Sequence, residues 1–533
     1  MTSRNTKTLG FPFPTAVSAL ALSLFLTACG GGSGGGEAPT NSDGPSQEAP
    51  ENNDSPDQET PEDDDQDSPQ GSVSPTFTNI AVHDPSVTKV GSDYYVIGSH
   101  LSMAKTDDMM NWERVADGVT PANPLFDDVT EELADALGWA DANTLWAADI
   151  IQLKSDGRYY MYYNACRGDA PQSAMGIAVA DNIEGPYENI EIFLRSGSEA
   201  DSALEPGAVT EGYIADPYNS FIHPNVIDPH TFYDHEGNLW MTYGSYSGGL
   251  FIMQMDPDTG LPLPDQGYGT HLMGGNHTRI EAPYVLYSPE SEYYYLFSSF
   301  GGLDANGAYN IRVARAENPG GPYYDYEGND VADVKSDGST FFDDEAIEDG
   351  AVKLMGNFQF ADGGNGYVSP GHNSAYYDEG LGKHLMFFHT RFPGRGEQHE
   401  VRVHELFINA DGWPVVAPHR YVPTSETDET IESSISEADV PGTYELVNHG
   451  LDITAQIKSS VTIELEDGGQ ISGEASGDWT LGADNAITVT LDDEGTFEGV
   501  AARLWSPSEQ EFVVTFSALS VDGVAIWGSR SLD

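Results

Sequence analysis

Five ionisable residues each stand at the head of a short apolar stretch, and their types suit acid and base chemistry. They are Asp84 in HDPSV, Asp149 in ADIIQ, Asp228 in IDPHT, Glu281 in EAPYV and His372 in GHNSA. A turn and then an aromatic-rich stretch follow each of them at a nearly constant distance. A single aspartate before a proline is a common turn opening. The recurrence indicates that the five residues instead occupy equivalent places in five copies of one unit.

Four carboxyl groups and an imidazole brought together would repel and desolvate one another, which is costly unless a site uses them. With no cysteine or phosphate-binding loop nearby, such a cluster suits either metal binding or acid and base work on a glycosidic bond. Hydrolysis with inversion needs a protonated carboxyl for the leaving oxygen and an ionised carboxyl that activates water, about 6.5 to 9.5 Å apart. Repulsion within the cluster raises one pKa, which keeps a proton on the acid near neutral pH.

The elements that would gather these residues are small antiparallel sheets. Each copy reads as a hairpin, and a third strand with a closing phrase follows it, as in MGIAVADNIEGPYE and YNIRVARAENPGGPY. A sheet this small is not stable alone, so five in succession predict an all-β fold, a five-bladed β-propeller over residues 78–424. The first strand of each blade lines the axis of a propeller. We therefore expect the five residues to converge at the mouth of that axis.

These motifs resemble glycoside hydrolase family 43. The resemblance runs from residue 79 to residue 421 and is carried by HDPSV, LWAADI, NVIDPHTFYDHEG, RIEAPY, SPGHNSAYYD and HEVRVHELFINADGWPVVAPHRY. Within the family, these stretches look most like the extracellular endo-1,5-α-L-arabinanases. The resemblance implies an inverting hydrolase in which Asp84 is the general base and Glu281 the general acid. It also implies that Asp228 modulates the pKa of the acid.

Three further residues are candidate substrate contacts. Asp149 is the rival of Asp228 for the modulator role, but IDPH followed by FYDHEG matches the family's modulator strand better. Asp149 then either contacts the sugar or lies one layer behind it. Trp146 could stack on a sugar face or pack in the core. His83, beside the predicted base, is either a sugar ligand or a turn residue.

His372 contributes an imidazole where the other blades contribute a carboxyl group. In the family, the matching histidine lies beside an axial calcium ion that is held largely by water, so the resemblance implies calcium near His372. Calcium prefers oxygen ligands, and a histidine that is only hydrogen-bonded in the channel is the alternative. Arg312 and Arg315, in NIRVARA, are expected to be either ion-pair partners on the blade surface or substrate contacts.

The N-terminal part of the sequence predicts export. Residues 1–28 combine a basic start with a short apolar run, as in a signal peptide, and the stretch LTAC that ends at Cys29 resembles the lipobox of bacterial lipoproteins. Acylated at Cys29, the protein would be anchored to a bacterial membrane, at the outer membrane or cell surface. An ordinary signal peptide with a chance cysteine is the alternative. Residues 29–77 have almost no large apolar side chains and predict a disordered acidic tether.

The charge balance excludes one class of partner. The 533 residues include 86 acidic and 22 basic ones, for a formal net charge of −64. Such a surface repels the phosphates of nucleic acid, so we expect no DNA or RNA partner.

The only two cysteines, Cys29 and Cys166, cannot form a disulfide scaffold. We expect a monomer.

A second domain follows the predicted propeller. Residues 425–440 read as a polar, charged joint, and residues 441–533 alternate apolar and polar side chains in several short runs. This pattern predicts a small antiparallel β-barrel, and two-domain arabinanases carry a C-terminal β-barrel of similar length. Such a barrel either braces the propeller, which we favour, or binds polysaccharide.

The leading hypothesis is a lipid-anchored glycoside hydrolase that cuts internal α-1,5-L-arabinofuranosidic bonds of arabinan with inversion. An exo-acting α-L-arabinofuranosidase or β-xylosidase on the same scaffold is the first alternative. A non-catalytic surface glycan-binding lipoprotein is the second. Retention of all three predicted catalytic carboxyl groups argues against the second alternative, because binding alone does not need a buried acid.

Overall fold

The computed structural model describes residues 74–198, 212–361, 366–424 and 434–532. The predicted signal peptide, Cys29, most of the predicted tether and the first part of the predicted joint lie outside the described residues. Within the described ranges, no helix is both long enough and apolar enough to cross a membrane.

The N-terminal strands form five antiparallel sheets that follow one another along the chain and that we call blades 1 to 5. Blade 1 contains β1 (Ser86–Val90), β2 (Asp93–Ile97), β3 (Met103–Thr106) and β4 (Glu113–Ala116). Blade 2 contains β5 (Asp149–Gln152), β6 (Tyr159–Cys166), β7 (Ser173–Ala180) and β8 (Glu188–Arg195). Blade 3 contains β9 (His230–Tyr233), β10 (Leu239–Tyr243), β11 (Leu250–Met255) and β12 (Thr270–Met273).

Blade 4 contains β13 (Ile280–Tyr287), β14 (Tyr294–Phe300), β15 (Asn310–Ala316) and β16 (Val352–Met355). Blade 5 contains β17 (Phe358–Gln359), β18 (Gly366–Asp378), β19 (Lys383–Arg391), β20 (His399–Ile408) and β21 (Pro414–Val416). Helices α1 (Val129–Glu132) and α2 (Ala134–Ala140) lie between blades 1 and 2. Short 3-10 turns occur at Ser99–Leu101, Val331–Asp333, Glu345–Ile347, Glu437–Asp439 and Ala483–Asn485.

The blades close into a ring around their first strands, and β18 takes this position in blade 5, because β17 pairs only with the first two residues of β18. β1 contacts β5, β5 contacts β9, β9 contacts β13, β13 contacts β18, and β18 returns to β1. The N-terminal segment helps to close the ring, because the Ile80 carbonyl accepts a hydrogen bond of 2.9 Å from the Val401 amide in β20. The prediction of a five-bladed β-propeller is therefore confirmed.

Apolar clusters between neighbouring blades hold the ring together. Tyr95 of blade 1 shares one buried cluster with Met161 of blade 2, and Phe387 of blade 5 shares another with Val87 of blade 1. Similar clusters join blades 2 and 3, blades 3 and 4, and blades 4 and 5. Since each blade buries both faces against its neighbours, the aromatic-rich second strands are needed at the blade interfaces.

The C-terminal strands form the predicted barrel, which is closed and has eight strands. They are β22 (Gly442–Asn448), β24 (Val461–Leu465), β25 (Gln470–Gly473), β26 (Gly477–Leu481), β27 (Ala486–Leu491), β28 (Gly495–Ser506), β29 (Glu511–Ser520) and β30 (Ala525–Arg530). The remaining strand, β23 (Lys458–Ser459), leaves the barrel and pairs in parallel with β17 of blade 5. The C-terminal domain thus extends a propeller sheet, which the sequence pattern did not predict.

The barrel also shares a core with the propeller. Trp527 of β30 is fully buried, and its ring lies 5.0 Å from that of Phe358 in β17. Both belong to one apolar cluster that includes side chains of blades 4 and 5. These contacts agree with the expectation that the barrel braces the propeller.

Arg312 and Arg315 make contacts that differ from both expectations. Arg312 is fully buried and donates hydrogen bonds to the carbonyls of Gly350 in blade 4 (2.7 Å) and Leu451 in the C-terminal domain (2.5 Å). Arg315 donates to the carbonyl of Gly412 over 2.9 Å. Neither residue makes an ion pair among the described residues or lines the axial cavity. Both cations satisfy backbone carbonyls where elements meet.

Candidate active site

Four of the five predicted residues meet at one end of the propeller axis, which we call the catalytic face. Asp84, Asp228 and His372 line a single small cavity between the first strands. Glu281 lies beside it, since its neighbour Ala282 lines the same cavity and donates a backbone hydrogen bond of 3.3 Å to Asp228 Oδ2. The site therefore combines side chains from blades 1, 3, 4 and 5.

The backbone at three of these residues adopts an uncommon conformation. Asp84, Asp228 and His372 have φ angles of 59°, 57° and 47°, in the left-handed region that non-glycine residues seldom occupy. Conformations of this kind cluster at functional sites, where the surrounding structure holds them. In blade 4, the residue with this conformation is Ala282 (φ 58°), not Glu281.

Glu281 therefore lies one residue before the position in blade 4 that corresponds to Asp84, Asp228 and His372. The prediction that all five residues are equivalent is wrong for Glu281. The pairing of β13 with β14 shifts register between Glu281 and Tyr284. Because successive side chains of a strand point in opposite directions, a shift of one residue changes where the carboxyl group points. The Glu281 side chain therefore reaches Ser245 and Tyr309, which both donate hydrogen bonds to its carboxyl group.

Asp84 is held as a carboxylate by two histidines and a serine. His372 Nδ1 lies 2.9 Å from Asp84 Oδ1, and His83 Nδ1 lies 2.8 Å from Oδ2. Ser99 Oγ donates a hydrogen bond of 2.5 Å to Oδ2. Burial raises the pKa of Asp84, but the charges and hydrogen bonds of His372 and His83 lower it by more, and the pKa lies well below its usual range. Asp84 is therefore ionised near neutral pH.

The surroundings of Glu281 shift its pKa in the opposite direction, upward. It is 7% exposed, and burial is the largest of the effects that raise its pKa, with the negative charge of Asp84 adding to it. His372 and the hydroxyl groups of Ser245 and Tyr309 act against this, each hydroxyl donating over 2.8 Å to one carboxyl oxygen. The net shift is upward, so Glu281 retains a proton at higher pH than an exposed glutamate does.

Asp228 is the third carboxyl group of the site, and its pKa is raised to about 8. Burial is the main cause; His372 lowers the pKa, whereas Glu281 and Asp84 raise it. Asp228 and Glu281 therefore compete for protons, and the second proton leaves this pair only at raised pH. A carboxyl group that shifts the proton affinity of the acid in this way fits the modulator role that the family resemblance implies for Asp228.

His372 provides the positive charge that balances the site. Burial lowers its pKa, but Asp84, Asp228 and Glu281 raise it further, to about 9. The Ser299 hydroxyl accepts a hydrogen bond of 2.8 Å from the His372 amide and fixes the backbone at this point. A protonated His372 thus keeps Asp84 ionised while the other two carboxyl groups stay partly protonated.

The predicted substrate contacts lie in different surroundings. The ring of His83 binds Asp84 and stacks on His389, with 4.0 Å between ring centroids. Trp146 is half-buried beside the cavity, and its neighbours Ala147 and Ala148 line the cavity. These positions are compatible with the predicted sugar contacts of His83 and Trp146.

Asp149 lies deeper and is 2% exposed. Ser86 donates a hydrogen bond of 2.6 Å to Asp149 Oδ1, and the Thr231 amide donates one of 2.7 Å to Oδ2. These partners belong to β1 and β9, so Asp149 ties three first strands together. Of the two alternatives for Asp149, the position behind the sugar layer fits this arrangement.

Sequence reasoning missed several residues that contact the site, among them Ser99, Ser245, Tyr309 and His389. His389 is fully buried, and its Nδ1 accepts a hydrogen bond of 3.2 Å from the Asp84 amide. Ser99, Ser245 and His389 each come at or just after the end of a second strand, in VIGS, TYGS and FFHT. The same repeat that revealed the strand heads therefore carried a signal at the strand ends.

The donor atoms of the site provide only part of what a calcium ion needs. Ligand atoms of His83, Asp84 and His389 lie within 4.8 Å of one another, but two of these three donors are imidazoles. His372 already binds Asp84 through Nδ1. Since calcium prefers six to eight oxygen ligands, these residues do not form a calcium site by themselves. The calcium predicted near His372 would have to be held by water, and no step of the reaction is derived through it.

Comparison with known proteins agrees with this geometry. Glycosyl hydrolases family 43 matches residues 75–414, and a C-terminal lipocalin-like domain of this family matches residues 418–528. The extracellular endo-α-(1→5)-L-arabinanase 2 of Bacillus subtilis (strain 168) is 54% identical over 459 residues, which cover 86% of this chain and 94% of that protein. An extracellular endo-α-(1→5)-L-arabinanase of Thermotoga petrophila is 48% identical and covers 86% of this chain and 95% of that protein.

A crystal structure of a family 43 glycoside hydrolase from Bacillus licheniformis is similar in fold as well as in sequence. It is 54% identical, superposes with a TM-score of 0.80, and covers 86% of this chain and 100% of that structure. The propeller and the C-terminal barrel are thus features of a known family. The chain belongs to glycosyl hydrolases family 43.

Proposed function

We propose that the protein is an endo-acting, inverting hydrolase of the α-1,5-L-arabinofuranosidic bonds of arabinan. The observation that carries this proposal is the contrast between two carboxyl groups at one axial site. The pKa of Asp84 is held well below its usual range, whereas that of Glu281 is raised. Hydrolysis with inversion needs one ionised and one protonated carboxyl group, as this pair provides.

In the proposed reaction, Asp84 accepts a proton from a water molecule as that water attacks the anomeric carbon. Glu281 donates its proton to the glycosidic oxygen as the bond to the leaving sugar breaks. Asp228 and His372 set the proton affinities of these two groups. The choice of arabinan is supported by the names of the two relatives at 54% and 48% identity, both endo-α-(1→5)-L-arabinanases.

The test uses the part of the protein that follows the predicted tether, which we call the soluble region. It is incubated with linear arabinan, branched arabinan and xylan, and the products are sized over time. We expect a mixture of arabino-oligosaccharides to appear early from linear arabinan and no release from xylan. Release of arabinose alone from the start would favour an exo-acting enzyme. Binding without any release would favour a glycan-binding protein. NMR of the first products should show the inverted anomer.

The proposal includes a calcium ion near His372, held by water. We expect EDTA to lower the activity and added calcium to restore it. Full activity with an unchanged melting temperature after EDTA would make calcium unnecessary.

Export to the cell surface and a lipid anchor at Cys29 are further parts of the proposal. Export is supported by the two extracellular relatives, and the anchor by the lipobox-like stretch before Cys29. Mass spectrometry of the protein from membranes should find acyl groups on Cys29. In a Cys29→Ser variant, the protein should no longer partition with membranes, and unchanged partitioning would contradict the anchor.

A further inference from the structure

An exposed group of aromatic rings lies on the catalytic face, next to the general acid candidate. We call it the aromatic platform, and it consists of Phe221, Tyr246, His277, Phe341 and Phe342. The ring of His277 lies 4.9 Å from that of Phe221 and 4.6 Å from that of Phe341. The ring of Phe342 lies 5.6 Å from that of Tyr246. Phe221, Phe341 and Phe342 are 36%, 42% and 37% exposed.

The direction of the strands places these residues on the catalytic face. First strands begin at this face, so the connection from β10 to β11 and that from β12 to β13 both return to it. Tyr246 belongs to the former connection and His277 to the latter, while Phe221 precedes β9. Phe341 and Phe342 belong to the long connection from β15 to β16. That connection reaches the same face, because the Phe342 amide donates a hydrogen bond of 3.2 Å to the His277 carbonyl.

The platform is joined directly to the residues that hold Glu281. Tyr246 follows Ser245, which donates a hydrogen bond to Glu281, and the Tyr246 amide donates one of 2.9 Å to the carbonyl of Ile280. The end of the long connection is fixed by Arg279, whose Nε donates a hydrogen bond of 2.8 Å to Asp344. The rings are therefore held at a set position relative to the acid.

A cluster of this kind needs an explanation, whereas single exposed apolar residues do not. Leu381 and Val521, for example, are exposed alone on other parts of the surface. In the platform, by contrast, several rings pack against one another beside the catalytic site. Burial lowers the pKa of His277, so its ring is uncharged at neutral pH and serves as an aromatic surface. Aromatic rings with exposed faces suit the apolar faces of uncharged sugars.

We propose that the aromatic platform binds sugar residues of the polysaccharide on the leaving-group side of the cleaved bond, beyond the leaving sugar whose glycosidic oxygen Glu281 protonates. The inference rests on the proposed arabinanase function. The platform is assigned to the leaving-group side because it adjoins the proposed acid, Glu281, rather than the proposed base, Asp84. A polysaccharide that lies across the platform continues beyond the cleaved bond in both directions, so the platform would favour cleavage within the polysaccharide.

The test compares a long and a short substrate in the Phe221→Ala/Phe341→Ala double variant. Linear arabinan reaches the platform, whereas an aryl arabinofuranoside, with a single sugar, occupies only the positions next to the bond. We expect kcat/KM for arabinan to fall about tenfold, which corresponds to about 1.4 kcal/mol. The expected loss for the aryl arabinofuranoside is at least several times smaller, and the rise in KM for arabinan should exceed the fall in kcat. The variant should also release shorter products from arabinan.

Two further variants make the test specific. Phe341→Trp keeps a ring and should retain most of the kcat/KM for arabinan, while Leu381→Ala, at the opposite end of blade 5, should match the wild type. Unchanged arabinan kinetics in the double variant, or equal losses on both substrates, would overturn the inference. Failure of the proposed function would look different, because the wild type itself would then not cleave arabinan.

Discussion

His372 Nδ1 lies 2.9 Å from Asp84 Oδ1, and this contact joins blade 5 to blade 1, its neighbour in the closed ring. The pair has opposite effects on its members, because the pKa of His372 is raised to about 9 and that of Asp84 is lowered. The contact between the last and the first blade of the ring thus includes Asp84, the residue that we propose activates water.

Replacement of His372 by glutamine should therefore shift the pH dependence of the reaction. Without the positive charge, the pKa of Asp84 rises, and a higher pH is needed to ionise it. We expect the acidic limb of the kcat/KM profile to move upward by about 1 pH unit or more. His384→Gln, at the opposite end of the same blade, is the control. An acidic limb that stays in place would contradict the role of His372.

Removal of the Tyr309 hydroxyl should shift the other limb. That hydroxyl donates to the carboxyl group of Glu281 and lowers its pKa. In Tyr309→Phe the pKa of Glu281 should rise, so the acid keeps its proton longer and the basic limb moves to higher pH. Tyr323→Phe removes another buried hydroxyl of the same chain and should leave the limb unchanged. A downward shift in Tyr309→Phe would show that the hydroxyl stabilises the protonated acid instead.

Substitutions of the two proposed catalytic carboxyl groups should differ in their dependence on the leaving group. Asp84→Asn should abolish turnover of linear arabinan and leave its affinity largely intact. Glu281→Gln should lose much less activity on an aryl arabinofuranoside, whose leaving group needs no proton, than on arabinan. Equal losses on both substrates would contradict the assignment of Glu281 as the acid. Unchanged turnover in Asp84→Asn would remove Asp84 from the mechanism.

Asp149→Ala should affect stability more than substrate binding. The substitution leaves the hydroxyl of Ser86 and the amide and hydroxyl of Thr231 without their acceptor, which costs about 1–3 kcal/mol for a buried group. Urea denaturation should show a lower free energy of unfolding, with a small change in KM. Asp156→Ala, in an exposed turn of the same blade, is the control. A raised KM with unchanged stability would indicate a direct sugar contact.

The barrel and the propeller should unfold together. Trp527 and Phe358 pack in one core that spans both domains, and β23 extends a propeller sheet. We expect one calorimetric transition for the soluble region. Trp527→Ala should destabilise it by about 3–5 kcal/mol, because it opens a cavity in the shared core. Val521→Ala, at a site that is 55% exposed, should have little effect. Two separate transitions would argue against bracing.

The heads of the first strands could be read from the sequence because each lies within about twenty residues of its own hairpin. Asp84 and Asp228 precede a proline, a strand and a turn in the same order, and both have the left-handed backbone that the structure places there. Glu281 deviates by one residue because β13 carries a register shift, and a one-residue bulge leaves no clear sign in an alternating apolar run. Sequence spacing located the carboxyl group but not the direction in which it points.

The residues that tune the site could not be found in this way. Tyr309 belongs to the connection that leads to a third strand and His389 to a second strand. Tyr309 donates to the carboxyl group of Glu281 and His389 accepts from the backbone amide of Asp84, and both partners belong to other parts of the chain. The contacts of the buried Arg312 were likewise missed. It was expected to be either an ion-pair partner on the blade surface or a substrate contact, but its partners are backbone carbonyls, which have no sequence signature. Contacts between distant segments depend on how blades pack, which local pattern does not specify.

By itself, the sequence determined the succession of five small sheets and a barrel, and the residue types at the axis, because strands, turns and alternation are properties of neighbouring residues. Only the tertiary structure decided which carboxyl group is ionised and which is protonated. Burial and the charge of a histidine from another blade set these proton affinities, and both arise only once the ring has closed.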